Sequence, residues 1–195
     1  FRTSLSKYVE GGHMTTGEAD ECSRMVQQYI TQRSKGAVSI DWDAVQPLGR
    51  GERLDLVDEL ATLEPREASR LLDKVVVLRL NGGLGTSMGC SGPKALIKVR
   101  RDETFLDLVV RQVAALGASH GVRLPLVFMD SERTDSPTKE AVSAVLTKLR
   151  AEGKPGVDVS FFEQPVFPRL DPDTLLPSAT LDANSGCEEL WYPPG

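Results

Sequence analysis

The run Val75-Val76-Val77-Leu78-Arg79-Leu80 breaks directly into Asn81-Gly82-Gly83-Leu84-Gly85, and this junction constrains the fold more than any other part of the chain. β-Branched residues fit a pleated surface, and a run that is almost wholly apolar reads as a strand covered on both faces. Strands of that kind belong to parallel sheets with helical crossovers. The rest of the chain supplies them. Leu124 to Met129 and Val157 to Phe162 read as two further buried strands. Thr104 and Asp107 have capping-box spacing for a helix running to about Gly117, with Val109, Val113 and Leu116 facing one way. Ser136 as N-cap and Pro137 in the first turn open another helix, with Ala141, Val142, Val145, Leu146 and Leu149 in one apolar stripe. Strand, helix, strand, helix, strand implies an α/β sheet with right-handed crossovers and flanking helices. Ligands of such sheets bind beyond the carboxyl ends of the strands, here Asn81-Gly82-Gly83, Asp130-Ser131 and Glu163-Gln164.

The amino-terminal part differs in character. Residues 1–14 are polar with a glycine pair and read as a poorly ordered lead-in. Thr15 and Glu18 form a capping-box pattern ahead of a helix carrying Cys22, Met25, Val26, Tyr29 and Ile30 near one face. Residues 34–51 read as linker, and 54–63 and 66–72 as two short helices, the second started by Pro65. The division expected is a helical segment and linker over 1–72 and a sheet domain over 73–195. The net charge of −5 disfavours nucleic acid and anionic membranes as partners. Cys22, Cys90 and Cys187 are scattered and odd in number, so they suggest neither a disulfide framework nor a zinc site but a reducing, cytoplasmic setting. No apolar run reaches the roughly 20 residues that span a bilayer. The start at Phe1 and the end at Trp191-Tyr192-Pro193-Pro194-Gly195 suggest a piece of a longer chain, incomplete at the carboxyl end of the sheet.

The chemistry concentrates in Leu80 to Lys94. Gly82, Gly83, Gly85, Gly89 and Gly92 lie within eleven residues. Without a Cβ, backbone N–H groups can turn inward and approach a polyphosphate closely. Pro93 stiffens the stem that presents the Lys94 charge. A lysine–phosphate pair at about 4 Å is worth roughly 4 kcal/mol at an effective dielectric of 20 and about 1 kcal/mol in bulk water. Three familiar motifs do not match. A P-loop needs Gly-Lys-Ser/Thr opening a helix, whereas Lys94 follows Pro93 and precedes Ala95. The dinucleotide fingerprint fails at Met88, where it needs glycine. Gly85-Thr86-Ser87-Met88-Gly89 fits the letters of a hydrolase nucleophile elbow, but Ser87 lies well past the strand, and Gly89, Gly92 and Pro93 bar a helix directly after it.

Leu80-Asn81-Gly82-Gly83-Leu84-Gly85-Thr86-Ser87-Met88-Gly89-Cys90, followed by Gly92-Pro93-Lys94, resembles the signature of eukaryotic-type UDP-glucose pyrophosphorylases. FLDLVVRQV, PLVFMDSERTDSPTKEAV, FPRLDPDTLLP and WYPPG follow in that family's order, so the resemblance covers roughly residues 54 to 195. It implies a Rossmann-like nucleotidyltransferase (nucleotide-diphospho-sugar transferase) fold. It also implies conversion of UTP and glucose 1-phosphate to UDP-glucose and pyrophosphate, with Mg2+. By the same resemblance the backbone of Leu80, Asn81, Gly82 and Gly83 frames the uracil and ribose, and Gln164 reads the uracil edge. An amide suits that task because it carries both a donor and an acceptor. Met129 and Gly195 would lie beside the nucleotide, and Lys94 would meet the phosphates as the main cation of the reaction. The chain departs from the family pattern at Arg133, where an asparagine is common, and at Ser91, where lysine is frequent. Metal ligands and a later catalytic lysine are expected beyond Gly195, so the chain by itself is expected to be inactive.

Plainer readings stand beside these. Asp130 and Ser131 suit structural capping better than ligand contact. Asp171, Asp173 and Asp182 read as a solvated loop, and His13 and His120 as surface residues. Competing functions are a UDP-sugar or UDP-N-acetylhexosamine pyrophosphorylase, and a non-catalytic uridine-nucleotide-binding protein. The oligomeric state is left open.

Overall fold

In the computed structural model, the residues described are 1–36, 40–55, 62–85, 88–89, 92–177 and 191–192. They fall into two compact units, Thr62–Gln164 and a second made of Phe1–Ala61 with Pro165–Gly195.

The first unit carries the sheet. Helix α3 (Pro65–Leu72) opens at Pro65 and leads to strand β1 (Val77–Leu80). After the glycine-rich loop, β2 (Lys98–Arg100) and β3 (Glu103–Thr104) form a small antiparallel hairpin. Then come α4 (Phe105–His120), β4 (Pro125–Asp130), α5 (Glu132–Ala151) and β5 (Asp158–Glu163). β1, β4 and β5 form one parallel sheet with β4 in the centre, as the alternation of elements implies. Thr104 accepts from the Asp107 N–H at 3.1 Å while the Asp107 carboxylate accepts from the Thr104 N–H at 2.8 Å, the reciprocal pair that the spacing predicts.

Leu126 and Phe128, both fully buried, face α4 and α5. Leu106, Val110, Val113 and Ala114 of α4 and Val142, Val145 and Leu149 of α5 complete this core. Phe161 stacks on Phe128 with ring centroids 5.8 Å apart. The opposite sheet face, with Leu78, Leu80 and Phe162, is 55%, 65% and 46% exposed at those residues. Among the described residues β1 pairs with β4 alone, and Leu78 and Leu80 lack the double cover that the composition of the strand suggests.

Other expectations are corrected. α4 runs past Gly117 to a left-handed Gly121 (φ 65°). Gly117 serves packing instead, since a Cβ there would lie 2.7 Å from the Val122 carbonyl oxygen. Leu116 is 42% exposed, and Leu106 and Val110 face the core in its place. α5 opens five residues before Ser136, at Ser131, whose N–H donates to Thr134 Oγ1 at 2.8 Å. Pro137 therefore falls inside the helix. After the glycine-rich loop, Lys94–Leu96 forms a 3-10 turn, and β2 follows at Lys98.

In the second unit, residues 2–10 are helical rather than an unstructured lead-in. α1 (Arg2–Glu10) buries Leu5 completely, and α2 (Thr16–Ser34) has its capping box at Thr15 and Glu18. Leu5, Met14, Ala19, Cys22 and Val26 form a separate core joined by Phe167 and Leu170. β6 (Phe167–Pro168) pairs antiparallel with β7 (Trp191–Tyr192). Asp171 caps its own turn by accepting from the N–H groups of Asp173 and Thr174. The short helix expected over 54–63 lies largely outside the described residues, as do Ser87, Ser91 and Asp182. Among the described residues no helix is long and apolar enough to cross a membrane.

Candidate functional site

The glycine-rich loop returns to the strand it leaves. Gly85 N–H donates to the Gly92 carbonyl at 3.0 Å and Lys94 N–H to the Gly83 carbonyl at 3.2 Å. Leu84 and Pro93 form an antiparallel bridge between them. The closure brings Lys94 back beside the carboxyl end of β1. Its aliphatic stem passes over Gly83, where a Cβ would stand 3.8 Å from Lys94 Cδ. Pro93 is buried with φ −56°, so the stem is rigid, while Lys94 itself is exposed.

The neighbouring glycine carries the second group. A Cβ on Gly82 would overlap Gln164 Nε2 outright and lie 2.8 Å from its Cδ and 3.1 Å from its Oε1. The Gln164 amide therefore sits against Gly82 with its Nε2 nearest, in the space that the missing Cβ leaves open. Gln164 reaches this position because it follows β5, and its N–H donates to the Asp130 carbonyl at 2.8 Å. Gly82, Gly83, Lys94 and Gln164 thus converge at the carboxyl edge of the sheet, one polar group on each glycine.

Leu80 pairs in register with Met129, and Met129 with Phe162. Paired residues of a parallel sheet share a face, so the three form an apolar row on the face opposite α4 and α5, next to the glycines. Phe162 was missed in the sequence. Its signal was the alternation along β5, which puts Phe161 against the helices and Phe162 opposite.

Asn81 turns the other way. It is 5% exposed, and its Nδ2 donates to Asp130 Oδ1 and to Thr138 Oγ1, each at 2.7 Å. Its side chain is thereby committed to the protein interior. Asp130 and Thr138 are fully buried, and Asp130 Oδ2 has no partner. Burial pushes the Asp130 carboxyl above the usual aspartate range, and hydrogen bonding by Asn81 opposes the rise. Ser131 takes the N-cap position of α5 without a side-chain cap bond, and its hydroxyl donates to the Gly82 carbonyl at 3.0 Å. This polar group was not legible as a unit, because its members are spread over some fifty residues with no local spacing.

Among the described residues no group of three or more His, Cys, Asp or Glu side chains gathers as a cation site. Asp130, the acid at the strand end, is committed to Asn81. The described residues do not fit a resident metal. Gly195 lies outside the described residues.

The sequence model of the UTP–glucose-1-phosphate uridylyltransferase family matches residues 19–195. A relative of that name from Solanum tuberosum is 42% identical over 195 residues, covering 98% of this chain and 38% of its own. One from Saccharomyces cerevisiae is 37% identical, covering 100% and 38%. The chain therefore spans less than two fifths of the length of these relatives. Among solved structures, a UDP-glucose pyrophosphorylase mutant from Leishmania major in complex with UDP-glucose superposes with a TM-score of 0.71 at 29% identity, over 99% of this chain and 37% of that one. With the family model covering all but the first eighteen residues, the chain belongs to the UTP–glucose-1-phosphate uridylyltransferase family and shares its α/β nucleotidyltransferase fold.

Proposed function

We propose that this chain forms the uridine-nucleotide end of an enzyme that converts UTP and glucose 1-phosphate to UDP-glucose and pyrophosphate. The observation that carries the reading is the placement of Gln164 across Gly82 and of Lys94 across Gly83. One pair offers an amide, which can match a uracil edge as donor and acceptor at once. The other offers a cation on a stiff stem, a short way along the same loop. Leu80 and Met129 supply an apolar wall beside them, and the Asn81–Gly83 backbone frames the base. Gly195 contacts the nucleotide in this reading.

A phosphate oxygen of the sugar attacks the α-phosphorus of UTP in line, and pyrophosphate departs with the P–O electron pair. No protein nucleophile takes part. The chain's contribution is to position the nucleotide and to neutralise charge on its phosphates through Lys94. Mg2+, which the resemblance implies, would take its ligands from outside the described residues. Residues 73–195 are the first part of the catalytic domain, preceded by the helical segment 1–72. The protein acts in the cytoplasm, and residues 1–195 alone are inactive.

Titration calorimetry of the full-length protein with UTP, comparing wild type with Lys94→Ala, tests this reading. A weakening of at least about tenfold is expected, corresponding to about 1.4 kcal/mol and lying within the range for a partly desolvated charge pair. Equal affinity and equal turnover in the two proteins would remove Lys94 from the site.

A further inference from the structure

We propose that Asp130 and Thr138 are positioning residues for uracil recognition: they clamp the Asn81 side chain and thereby fix the Asn81–Gly82 backbone on which the Gln164 amide lies. The inference rests on the reading of Gly82 and Gln164 as the uracil-facing pair.

An asparagine amide has two N–H donors. Here one goes to Asp130 Oδ1 and the other to Thr138 Oγ1, both at 2.7 Å. Thr138 Oγ1 is itself oriented, since it donates to the Thr134 carbonyl at 2.6 Å. With both donors used and the residue 5% exposed, Asn81 has no freedom to swing and no face for a ligand. Its main chain is fixed as well, by its N–H on the Met129 carbonyl at 2.8 Å. The next peptide is tied by Ser131 Oγ, which donates to the Gly82 carbonyl at 3.0 Å. Asp130 acts on both sides of the site. Its side chain holds Asn81, and its carbonyl accepts the Gln164 N–H at 2.8 Å. One residue thus sets the spacing between the loop glycine and the amide lying on it.

The arrangement is a poor one for stability alone. Asp130 is fully buried, and its Oδ2 has no hydrogen-bond partner. Uncompensated buried polar atoms are costly, and apolar side chains of like shape often serve a core as well or better. What a polar clamp gives is a single geometry, and recognition groups misplaced by about 1 Å can lose roughly a hundredfold in rate.

The test uses the full-length enzyme, with steady-state kinetics on UTP and on CTP, whose base presents a different hydrogen-bonding edge. Thr138→Val keeps the shape and removes the acceptor. The KM for UTP should rise about tenfold, the scale of one lost hydrogen bond. The preference for UTP over CTP should fall by a similar factor while kcat stays within about twofold. Thr138→Ser should restore both the KM and the preference. N81D sets two carboxyls face to face and should weaken UTP binding more, and N81D/D130N, which re-forms the amide–carboxylate pair in reverse, should recover part of it. A wild-type KM and UTP preference in Thr138→Val, with only a lower melting temperature, overturns the proposal. So does a double variant no better than N81D, and this pair decides the matter if Thr138→Val does not fold. A wild type without preference for UTP overturns the parent reading instead.

Discussion

A carboxyl buried without a partner for one of its oxygens ties its protonation to folding. Asp130 is such a group, held above the ordinary value of 3.8 chiefly by burial, with the nearby Asp135 charge adding to the rise. The folded state binds this proton more tightly than the unfolded chain does. The stability that Asp130 contributes is therefore fully present below its unfolded pKa and is lost as pH rises through the folded one. Asp130→Asn imitates the protonated acid in shape and charge. Urea unfolding across pH 4–8 should find the two proteins closest at the acid end, with the variant pulling ahead towards neutrality. Parallel curves would mean that Asp130 does not titrate in this window. Gly82 bears a different constraint. A methyl group there meets Gln164 within 2.8 Å of Cδ, and Gln164 is only half-buried, so it can move aside. Gly82→Ala should leave the melting temperature nearly unchanged and weaken UTP binding about tenfold or more, the scale of a lost amide contact. Lys94 stands out in the sequence by its place at the end of the glycine-rich motif, whereas Gln164 is singled out only through the family resemblance. The pairing of Asn81 with Thr138 was not, because it joins a loop to a helix through contacts 57 positions apart.

Among the elements, the helices announced themselves where a cap is written in adjacent residues, as at Thr15 with Glu18 and Thr104 with Asp107. Misreadings arose where two local signals compete. Pro137 signals a helix start, yet the chain begins α5 at Ser131, whose N–H is satisfied by Thr134. Gly117 signals an end, yet α4 runs on. The close approach at Gly117 explains why and gives a prediction of definite sign. In an exposed helix interior, Gly→Ala stabilises by about 1 kcal/mol through propensity. Here the added Cβ would stand 2.7 Å from the Val122 carbonyl oxygen, a backbone atom that cannot move without disturbing the entry to β4. Overpacking of this kind costs about 1–3 kcal/mol, so the steric effect should win. Gly117→Ala should lower the urea midpoint, and a raised midpoint would show that α4 and the Val122 turn can separate freely.

At the scale of the whole chain, the parallel order of β1, β4 and β5 was readable from the alternation of apolar runs, because right-handed crossovers leave few alternatives. The two cores were not readable. Nothing in residues 1–14 suggests that Leu5 is fully buried, since its partners Met14, Cys22, Val26, Phe167 and Leu170 are drawn from both ends of the sequence. The sheet core is built instead from residues lying between Leu72 and Phe161. Each core is thus a separate set of side chains, and removing a side chain from one should be felt first within its own unit. Phe128 is fully buried at the centre of the sheet and stacked on Phe161, so Phe128→Ala should cost about 3–5 kcal/mol. Leu5→Ala should cost about 2–5 kcal/mol in the other unit. Native-state hydrogen exchange distinguishes the two, because protection reports the free energy of the smallest opening that exposes each amide. Phe128→Ala should strip protection from β1, β4, β5, α4 and α5 while α1 and α2 keep theirs, and Leu5→Ala should do the reverse. Loss of protection throughout the chain from either substitution would show that the two cores unfold as one cooperative body.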